Sequence, residues 1–382
     1  MEDLFNLQAR LGRAMEDRDL WPGDSPWVRP AMESFPRHLF APDRLWTWNG
    51  HAYVPVDRST DPTVWAELVY GAPADSTITQ VSDGLPTSSL SCEDVVADML
   101  DSLMLEPGQP TLELGAATGR NARLLAEQAG PGLVTTVEFD PTLAAAAAAN
   151  LAATGGGVDV LTGDGGVGAP GRGPFLRVIS TYAVDEVPWA WIQQTVPGGR
   201  IVTPWGRLGH VALTVAPDGQ SASGWVQGLA TFMPARGTSQ GMEWDQVRGG
   251  RPPVAEEPFA RDVQQLHRDA GLLFALRVIA PDIRVRTAVD NGAVTVWLHD
   301  GHTSWATIEA TPKGQGPALA RQYGPRRLAT ELDVAWHGWT IAGAPSLWDF
   351  GMTCTRNDQY IWAHDAETGP RWSTTTSPLR AA

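Results

Sequence analysis

The sequence predicts an α/β protein: a doubly wound, mostly parallel sheet followed by a smaller α+β domain. Three observations carry that reading. Between residues 92 and 205, short apolar runs alternate with helix-patterned segments, the order that builds a parallel sheet with helices on both faces. A glycine-bearing turn, LELGAATGR (112–120), follows one of those runs and opens a helix-like segment. From about residue 237 the alternation stops, and the linker-like stretch RGTSQGMEWDQVRGGRPPV leads into strand-like segments.

Residues 1–40 read as helical and end in the Pro-punctuated SFPRHLFAP. Residues 41–75 are Trp-rich and irregular, with LWTW and AYVPV as short strands. STITQV (76–81) reads as a strand, Asp83-Gly84 as a turn, and 83–90 as a long loop. A helix is expected over 92–105 and is broken by PGQP. TLELG (111–115) reads as a buried strand, 119–129 as a helix and LVTTVEFD (133–140) as a second strand. PTLAAAAAANLAATG is a helix with Pro near its start and Gly after its end. VDVLTGD (158–164) and FLRVISTY (175–182) are the third and fourth strands. VPWAWIQQTV reads as a helix closed by Pro197-Gly198-Gly199, with RIVTPW and HVALTVAPDG as further strands. The C-terminal part shows strands at VTVWLHD and SWATIEA, a helix around 318–340, and a strand pair near FGMTCT and QYIWAHD. The domains expected are an N-terminal helical and Trp-rich segment (1–75), a central α/β domain (76–236) and a C-terminal extension (245–382).

With 382 residues, 43% hydrophobic and 19% charged, the chain is globular and long enough for two cores. A net charge of −15 argues against nucleic acid as a partner. No apolar run approaches the roughly 18 residues that span a bilayer. The N-terminal MEDLFNLQARLGRAMEDRDL lacks a signal-peptide apolar region, so a cytoplasmic location without a membrane partner is expected. Cys92 and Cys354 are the only cysteines, which excludes a disulfide scaffold and a cysteine-built metal site. His299 and His302 in HDGHTSW lack a third ligand and read as a surface turn, so no metal is expected. The 17 tryptophans suit cores and also peptide-binding surfaces.

A dinucleotide fingerprint, G-x-G-x-x-G, fails in LELGAATGR at Ala117 and Arg120. The pattern acid-x-G-x-G-x-G, the loop that holds S-adenosylmethionine, fits at Glu113, Gly115 and Gly119, with Ala116 inside it and Ala117 in place of the middle glycine. An acid at Glu113 suits the cationic amino group of that cofactor. Glu138, at the end of the second strand with Phe139 beside it, suits the ribose hydroxyls. Asp164 in TGDG suits the adenine amine, and Gly163 and Gly165 let that loop pass close to the ring. Thr181, after the fourth strand, completes the cofactor set. The three acids fall at successive strand ends, on the ligand-binding edge of such a sheet. A structural glycine turn with acids at strand ends is the alternative.

FPRHLFAP (35–42), TLELGAATGRNARLLA, VTTVEFDPTLA, LTGDG and VISTYAVDEVPWAWIQQTVPGGRIVTPWG (178–206) follow one another in an order that resembles protein-L-isoaspartate O-methyltransferases over roughly residues 20–235. The resemblance implies S-adenosylmethionine as cofactor, S-adenosylhomocysteine as product, and methyl transfer to the free carboxylate of an isoaspartyl residue in a peptide or protein. The ester then collapses to a succinimide. The Trp-rich 41–75, the loop 83–90 and the C-terminal extension make the chain similar to extended relatives that tailor an aspartate in ribosomally made peptides. A general repair enzyme and a non-catalytic cofactor-binding scaffold are the alternatives.

The family places a hydroxyl at the start of the helix before the cofactor loop, which here means Thr79 or Ser91. Ser91 lies 22 residues before Glu113 and stands ahead of VVADML, so the resemblance implies a catalytic Ser91 with Ser89 and Ser88 beside it. Cys-Glu-Asp at 92–94 departs from the family's Gln-Pro pattern. Ser91 to Asp94 also reads as S-x-x-D, a capping box. Glu93 and Asp94 are expected to face away from an anionic acceptor, and Cys92 to be a buried small residue. Arg37 is a candidate for pairing the substrate carboxylate, His38 for contacting substrate or, in the alternative, for a structural hydrogen bond, and Tyr182, Ala183 and Val184 for lining the pocket. With a reference pKa of about 4 the acceptor is ionised at pH 7, so no general base is needed and alignment and desolvation carry the reaction.

Overall fold

Leu7, Leu11 and Met15 fall one helical turn apart and bury a single stripe of α1 (Leu4–Glu16). The computed structural model describes residues 4–206, 208–238, 241–290, 292–310 and 317–374. They divide into two compact units: residues up to 204 with 210–223 and 230–236, and residues 205–209, 224–229 and those from 237 onward.

In the first unit, α2 (Val28–Ser34) and a turn at Arg37–Leu39 lead to the hairpin β1 (Arg44–Trp48) and β2 (Tyr53–Asp57). α3 (Pro62–Val69) begins as its sequence dictates, with Pro62 in the first turn and the Asp61 carboxylate accepting from the Val64 amide at 3.1 Å. β3 (Thr77–Ser82) and β4 (Leu85–Leu90) close on Asp83 and Gly84, both at positive φ (52° and 79°), the pair of conformations that a tight hairpin turn demands. Residues 83–90 are therefore a turn and a strand rather than the expected loop. The four strands run β2-β1-β3-β4. Residues 1–75 do not stand apart as a segment. Leu7 and Leu11 pack with Leu45, Trp65, Val69 and Tyr70. Met15, Val28 and Met32 join the core of α4 (Glu93–Leu103) and α5 (Arg120–Ala129), because one side of each N-terminal helix needs that cover.

β5 (Thr111–Leu114) is buried along its whole length, as a central parallel strand should be. After α5 come β6 (Val134–Glu138), α6 (Pro141–Thr154), β7 (Asp159–Thr162), β8 (Phe175–Ser180), α7 (Trp189–Gln193), β9 (Thr195–Trp205), β10 (Gly209–Val215) and β11 (Ser221–Gly228). Their order is β7-β6-β5-β8-β9-β10-β11, with β7, β6, β5, β8 and β9 paired in parallel. Strand order reverses between β5 and β8, which sets the ligand crevice at the C-terminal ends of these strands. Pro197-Gly198-Gly199, read as a helix stop, lies within β9.

The second unit holds α8 (Trp244–Arg248), β12 (Ala255–Phe259), α9 (Val263–Arg268), α10 (Ala270–Ile279), β13 (Arg284–Asp290), β14 (Ala293–His299), β15 (Trp305–Glu309), β16 (Ala318–Tyr323), α11 (Leu328–Ile341), and β17 (Phe350–Thr355), β18 (Gln359–Ala363) and β19 (Arg371–Ser373). β12-β16-β15-β14-β13 form an antiparallel sheet packed on Leu272, Leu276, Leu332 and Trp336. The helix expected at 318–340 is two elements: 318–323 alternates buried and half-buried positions as a strand, and the helix starts at Leu328. His299 is buried at the end of β14 against Trp244, not in the expected surface turn, whereas His302 is exposed. Among the described residues no group of three or more His, Cys, Asp or Glu is arranged to hold a metal, and no helix is long and apolar enough to cross a membrane.

The start of α4 is anchored from below. Glu93 is buried, and its carboxylate receives both Arg120 guanidinium nitrogens at 2.7 and 2.9 Å. Arg37 stands 3.8 Å from the same carboxylate and is itself buried. It donates to the carbonyls of Val69 (2.7 Å), Leu90 (3.2 Å) and Ser91 (2.6 Å) and to the Thr77 hydroxyl (2.9 Å). Removing the carboxylate leaves two buried cations uncompensated, so Glu93→Gln is expected to lower unfolding free energy by about 3 kcal/mol. Urea denaturation checks this, and an unchanged midpoint contradicts it.

Candidate active site

The β5–α5 turn has the shape its motif requires. Gly115, Ala117 and Gly119 take φ of +100°, +48° and +84°. A Cβ at position 115 would stand 2.4 Å from the Thr181 hydroxyl, so glycine is obligatory there. Ala117 keeps the left-handed backbone at a cost of about 1 kcal/mol, and its amide donates to the Glu138 carboxylate at 2.8 Å. The Thr181 hydroxyl binds the Gly115 carbonyl at 2.5 Å, tying the turn to the end of β8. Ala116 is buried, and its carbonyl accepts from the Gly119 amide at 2.7 Å, so it braces the turn from inside.

Glu113 is closed off from solvent. Its side chain has no exposed surface, and its oxygens accept from Asn121 (2.9 Å) and Thr136 (2.5 Å). The cause is its position inside β5, one residue short of the strand end. Burial pushes this carboxyl up to about 7, against the pull of those two hydrogen bonds. Glu138 ends β6 and is buried too, with 6% of its surface exposed. Its second oxygen accepts from the Asp140 amide at 3.0 Å, and Phe139 beside it is 55% exposed. Asp164 is exposed and caps the turn at 165–167 through the Gly166 amide (2.8 Å). The Gly163 amide donates to the Glu138 carbonyl at 2.9 Å. A Cβ on Gly165 would meet the Tyr182 hydroxyl at 2.4 Å, so this loop lies close against that ring. The Tyr182 phenol is pushed up chiefly by burial and further by the charges of Asp164 and Glu138.

The hydroxyl cluster divides. β4 alternates, so Ser88 points inward, buried and bonded to Thr79 at 3.0 Å, while Ser89 lies half-buried on the opposite face. Ser88 is thereby removed from the candidate catalytic set. Ser91 lies just past β4, half-buried, its backbone held by Arg37. It is not the cap of α4. Cys92 occupies the N-cap position without a side-chain cap bond, because the helix begins one residue later than S-x-x-D suggests. The Cys92 thiol is pushed up to about 12, first by burial and then by Asp94, and is not a thiolate at neutral pH. Glu93 does turn away, into its arginine pair.

Four expected substrate contacts are also corrected. Arg37 is fully engaged in the fold. His38 is hydrogen-bonded through Nδ1 to the Tyr70 hydroxyl and meets Phe5 edge-on. Ala183 and Val184 are buried, and their backbones pair with Met233, Ala235 and Pro204, so they back the cleft rather than line it.

A polar bridge absent from the sequence reading joins β3 to the cofactor edge. Gln80 donates to Asp140 at 3.0 Å and accepts from Thr87 and Arg236, both at 2.8 Å. Arg236 also donates to the Thr87 carbonyl (3.2 Å) and stands 3.7 Å from Asp140. The Gln80 hydrogen bond is the main cause that holds the Asp140 carboxyl below its ordinary range. Asp140 was readable as a cap before Pro141. Arg236 had no signal, since it comes from a distant strand-like return.

The sequence model of the protein-L-isoaspartate(D-aspartate) O-methyltransferase family matches residues 23–226. The chain belongs to this family. A protein-L-isoaspartate O-methyltransferase of Aeropyrum pernix is 35% identical over 199 residues, covering 50% of this chain and 66% of that one. An Archaeoglobus fulgidus protein-L-isoaspartate O-methyltransferase is 31% identical over 212 residues, covering 55% of this chain and 85% of its own. The chain thus spans just under two thirds of the Aeropyrum relative, and 63% of one from Anaeromyxobacter sp. that is 36% identical. A solved structure described as a protein-L-isoaspartate O-methyltransferase superposes with a TM-score of 0.52 at 20% identity, over 94% of this chain and 100% of its own, a likeness of fold.

S-adenosylmethionine is the cofactor of this family, and the β5–α5 turn fits it: glycine at 115 lets the backbone pass tight against Thr181, where a side chain would clash, and an exposed aromatic and an acid stand at the end of β6. Ala117→Gly is expected to stabilise by up to about 1 kcal/mol and Ala117→Val to destabilise by about 2 kcal/mol, read from thermal midpoints; equal stabilities contradict the left-handed turn. The raised Glu113 pKa stabilises the fold below the unfolded value of 4.5, and that contribution is lost as pH rises to about 7. Glu113→Gln is therefore expected to gain up to about 3 kcal/mol relative to wild type between pH 5 and pH 8. A pH-independent difference in melting temperature contradicts it.

Proposed function

We propose that this protein is an S-adenosylmethionine-dependent carboxyl O-methyltransferase whose acceptor is an isoaspartyl or aspartyl side chain in a peptide or protein. The observation that carries the reading is the linkage of two loops. Arg37 holds the Ser91 carbonyl, Glu93 ties Arg37 to Arg120, and Arg120 opens the helix that follows the glycine turn. A hydroxyl-bearing acceptor loop and a donor-binding turn are thereby held as one rigid piece.

On the donor side, Gly115, Ala117 and Gly119 shape the turn, Glu138 receives the ribose hydroxyls, Phe139 faces the adenine, and Asp164 with Gly163 and Gly165 borders its amine. Thr181 supports the turn, and Ala116 and Glu113 act beneath it. Bound S-adenosylmethionine supplies an electrophilic methyl group. The acceptor carboxylate arrives ionised, so the chain need not take a proton from it. Ser91 and Ser89 donate hydrogen bonds that replace its water, and Tyr182, kept protonated by its raised pKa, is a third donor. Arg236, about one third exposed beside Gln80, attracts the acceptor carboxylate, since Arg37 is buried in its own hydrogen bonds.

The finer reading is the tailoring of a ribosomally made peptide, the ester collapsing to an aspartimide when a backbone nitrogen attacks. Trp48 and Tyr53, whose rings meet edge to face at 5.2 Å on the β1–β2 hairpin, with Trp48 exposed, favour a chosen peptide. Labelled S-adenosylmethionine with a panel of unrelated isoaspartyl peptides separates the two: similar KM across the panel establishes repair and overturns tailoring. On any accepted peptide, Ser91→Ala is expected to cut kcat at least about tenfold with cofactor affinity retained. Unchanged turnover removes Ser91 from the site.

A further inference from the structure

The sheet β2-β1-β3-β4 has two unlike faces. One carries Leu45, Thr77 and Leu90, all buried, and packs Leu45 with Trp65 and Val69 of α3. On the other, Pro55, Trp46, Ile78 and Ser89 form one row across all four strands, each the direct cross-strand partner of the next. Trp48, two residues on from Trp46 and therefore on the same face, pairs with Tyr53, their rings meeting edge to face at 5.2 Å. Trp48 is 55% exposed and Pro55 is exposed, while Trp46, Tyr53, Ile78 and Ser89 are half-buried. The charged pair next along, Arg44 and Asp57, is neutralised by its own ion pair at 2.8 Å. The result is an uncharged aromatic strip that runs into Ser89, two residues from Ser91.

We propose that this strip docks the polypeptide segment flanking the acceptor carboxylate and selects apolar side chains there. The inference rests on the methyl-transfer reading above and deepens it by naming what the substrate must carry. The occupant follows from continuity. A chain whose carboxylate lies at Ser91 and Ser89 has this strip as the neighbouring surface, and only an extended polypeptide reaches both. Strands stand about 4.8 Å apart, so Ser89 to Pro55 is roughly 14 Å, or about four residues of extended peptide. The selected side chains therefore lie roughly three to five residues from the acceptor. Rigid Trp and Tyr rings supply contact area at little conformational cost, which suits them to such a surface.

The test uses the full chain and two synthetic isoaspartyl peptides, one flanked by Trp, Leu and Pro, the other by Ser and Gly. Wild type is expected to show a KM at least about fivefold lower for the apolar-flanked peptide, and Trp48→Ala and Tyr53→Ala to bring the ratio toward one. The same preference retained in both variants, or absent in wild type, overturns the proposal. Because Trp48 is largely exposed, its loss is not expected to unfold the sheet, and the thermal midpoint checks this. Fluorescence anisotropy of the labelled peptides reads docking without methyl transfer. Flank-selective binding lost in Trp48→Ala, with no methylation of either peptide, upholds the strip and overturns the methyltransferase reading. Methylation without flank preference does the reverse. A change in oligomeric state on Trp48→Ala, with peptide binding unchanged, makes the strip a contact between copies of this chain and overturns the proposal.

Discussion

Everything near the cleft depends on one buried carboxylate. Glu93 meets Arg120 in a bidentate pair and holds Arg37 within 3.8 Å, all three side chains out of water. Taking these charges from water costs several kcal/mol per ion, so the group persists only because the partners satisfy one another. What it yields is position. Arg37 reaches the ends of α3 and β4 and the start of β3, while Arg120 binds the Phe35 carbonyl at 3.0 Å. The head of α4, the head of α5 and the turn at 37–39 therefore cannot move independently. Alignment is the main means available to an enzyme whose acceptor needs no deprotonation, and a rigid joint between donor and acceptor loops supplies it.

The electrostatics of the cleft present a problem for an anionic acceptor. The chain carries −15, and Glu138, Asp140 and Asp164 all stand at the strand edge. The fold answers locally. Glu93 is neutralised underneath, and Asp140 is covered by Gln80 and faces Arg236. Glu138 is occupied by two backbone amides. Tyr182 stays protonated. The net charge of the whole molecule is thus a poor guide to the field that one carboxylate meets in the crevice.

Much of the central fold was legible in the sequence. β5 to β8 and their helices follow from apolar runs and Gly/Pro stops, and Ala117 did not spoil the glycine turn because the backbone accepts the left-handed conformation anyway. The misses share a cause, which is dependence on distant partners. β4 reads as a loop because Pro86 and two serines outweigh Thr87, the one strand former in PTSS; its pairing comes from the Asp83-Gly84 turn and from β3. Had that strand been recognised, alternation alone would have separated Ser88 from Ser89. Arg37 looks like a ligand residue until Val69, Thr77, Leu90 and Ser91 are brought around it. Glu113 fits the motif, yet one residue of depth inside β5 turns it from a ligand contact into a support. Arg236 enters from a segment with no motif at all.

The central claim is that the glycine turn and the Ser91 loop form one site. A crystal structure with S-adenosylhomocysteine tests it most directly. The account predicts the homocysteine portion over residues 115–119, the ribose at Glu138, and the sulfur facing the Ser91 and Ser89 hydroxyls across open space. A ligand bound away from the turn, or a sulfur separated from Ser91 by protein, would contradict it.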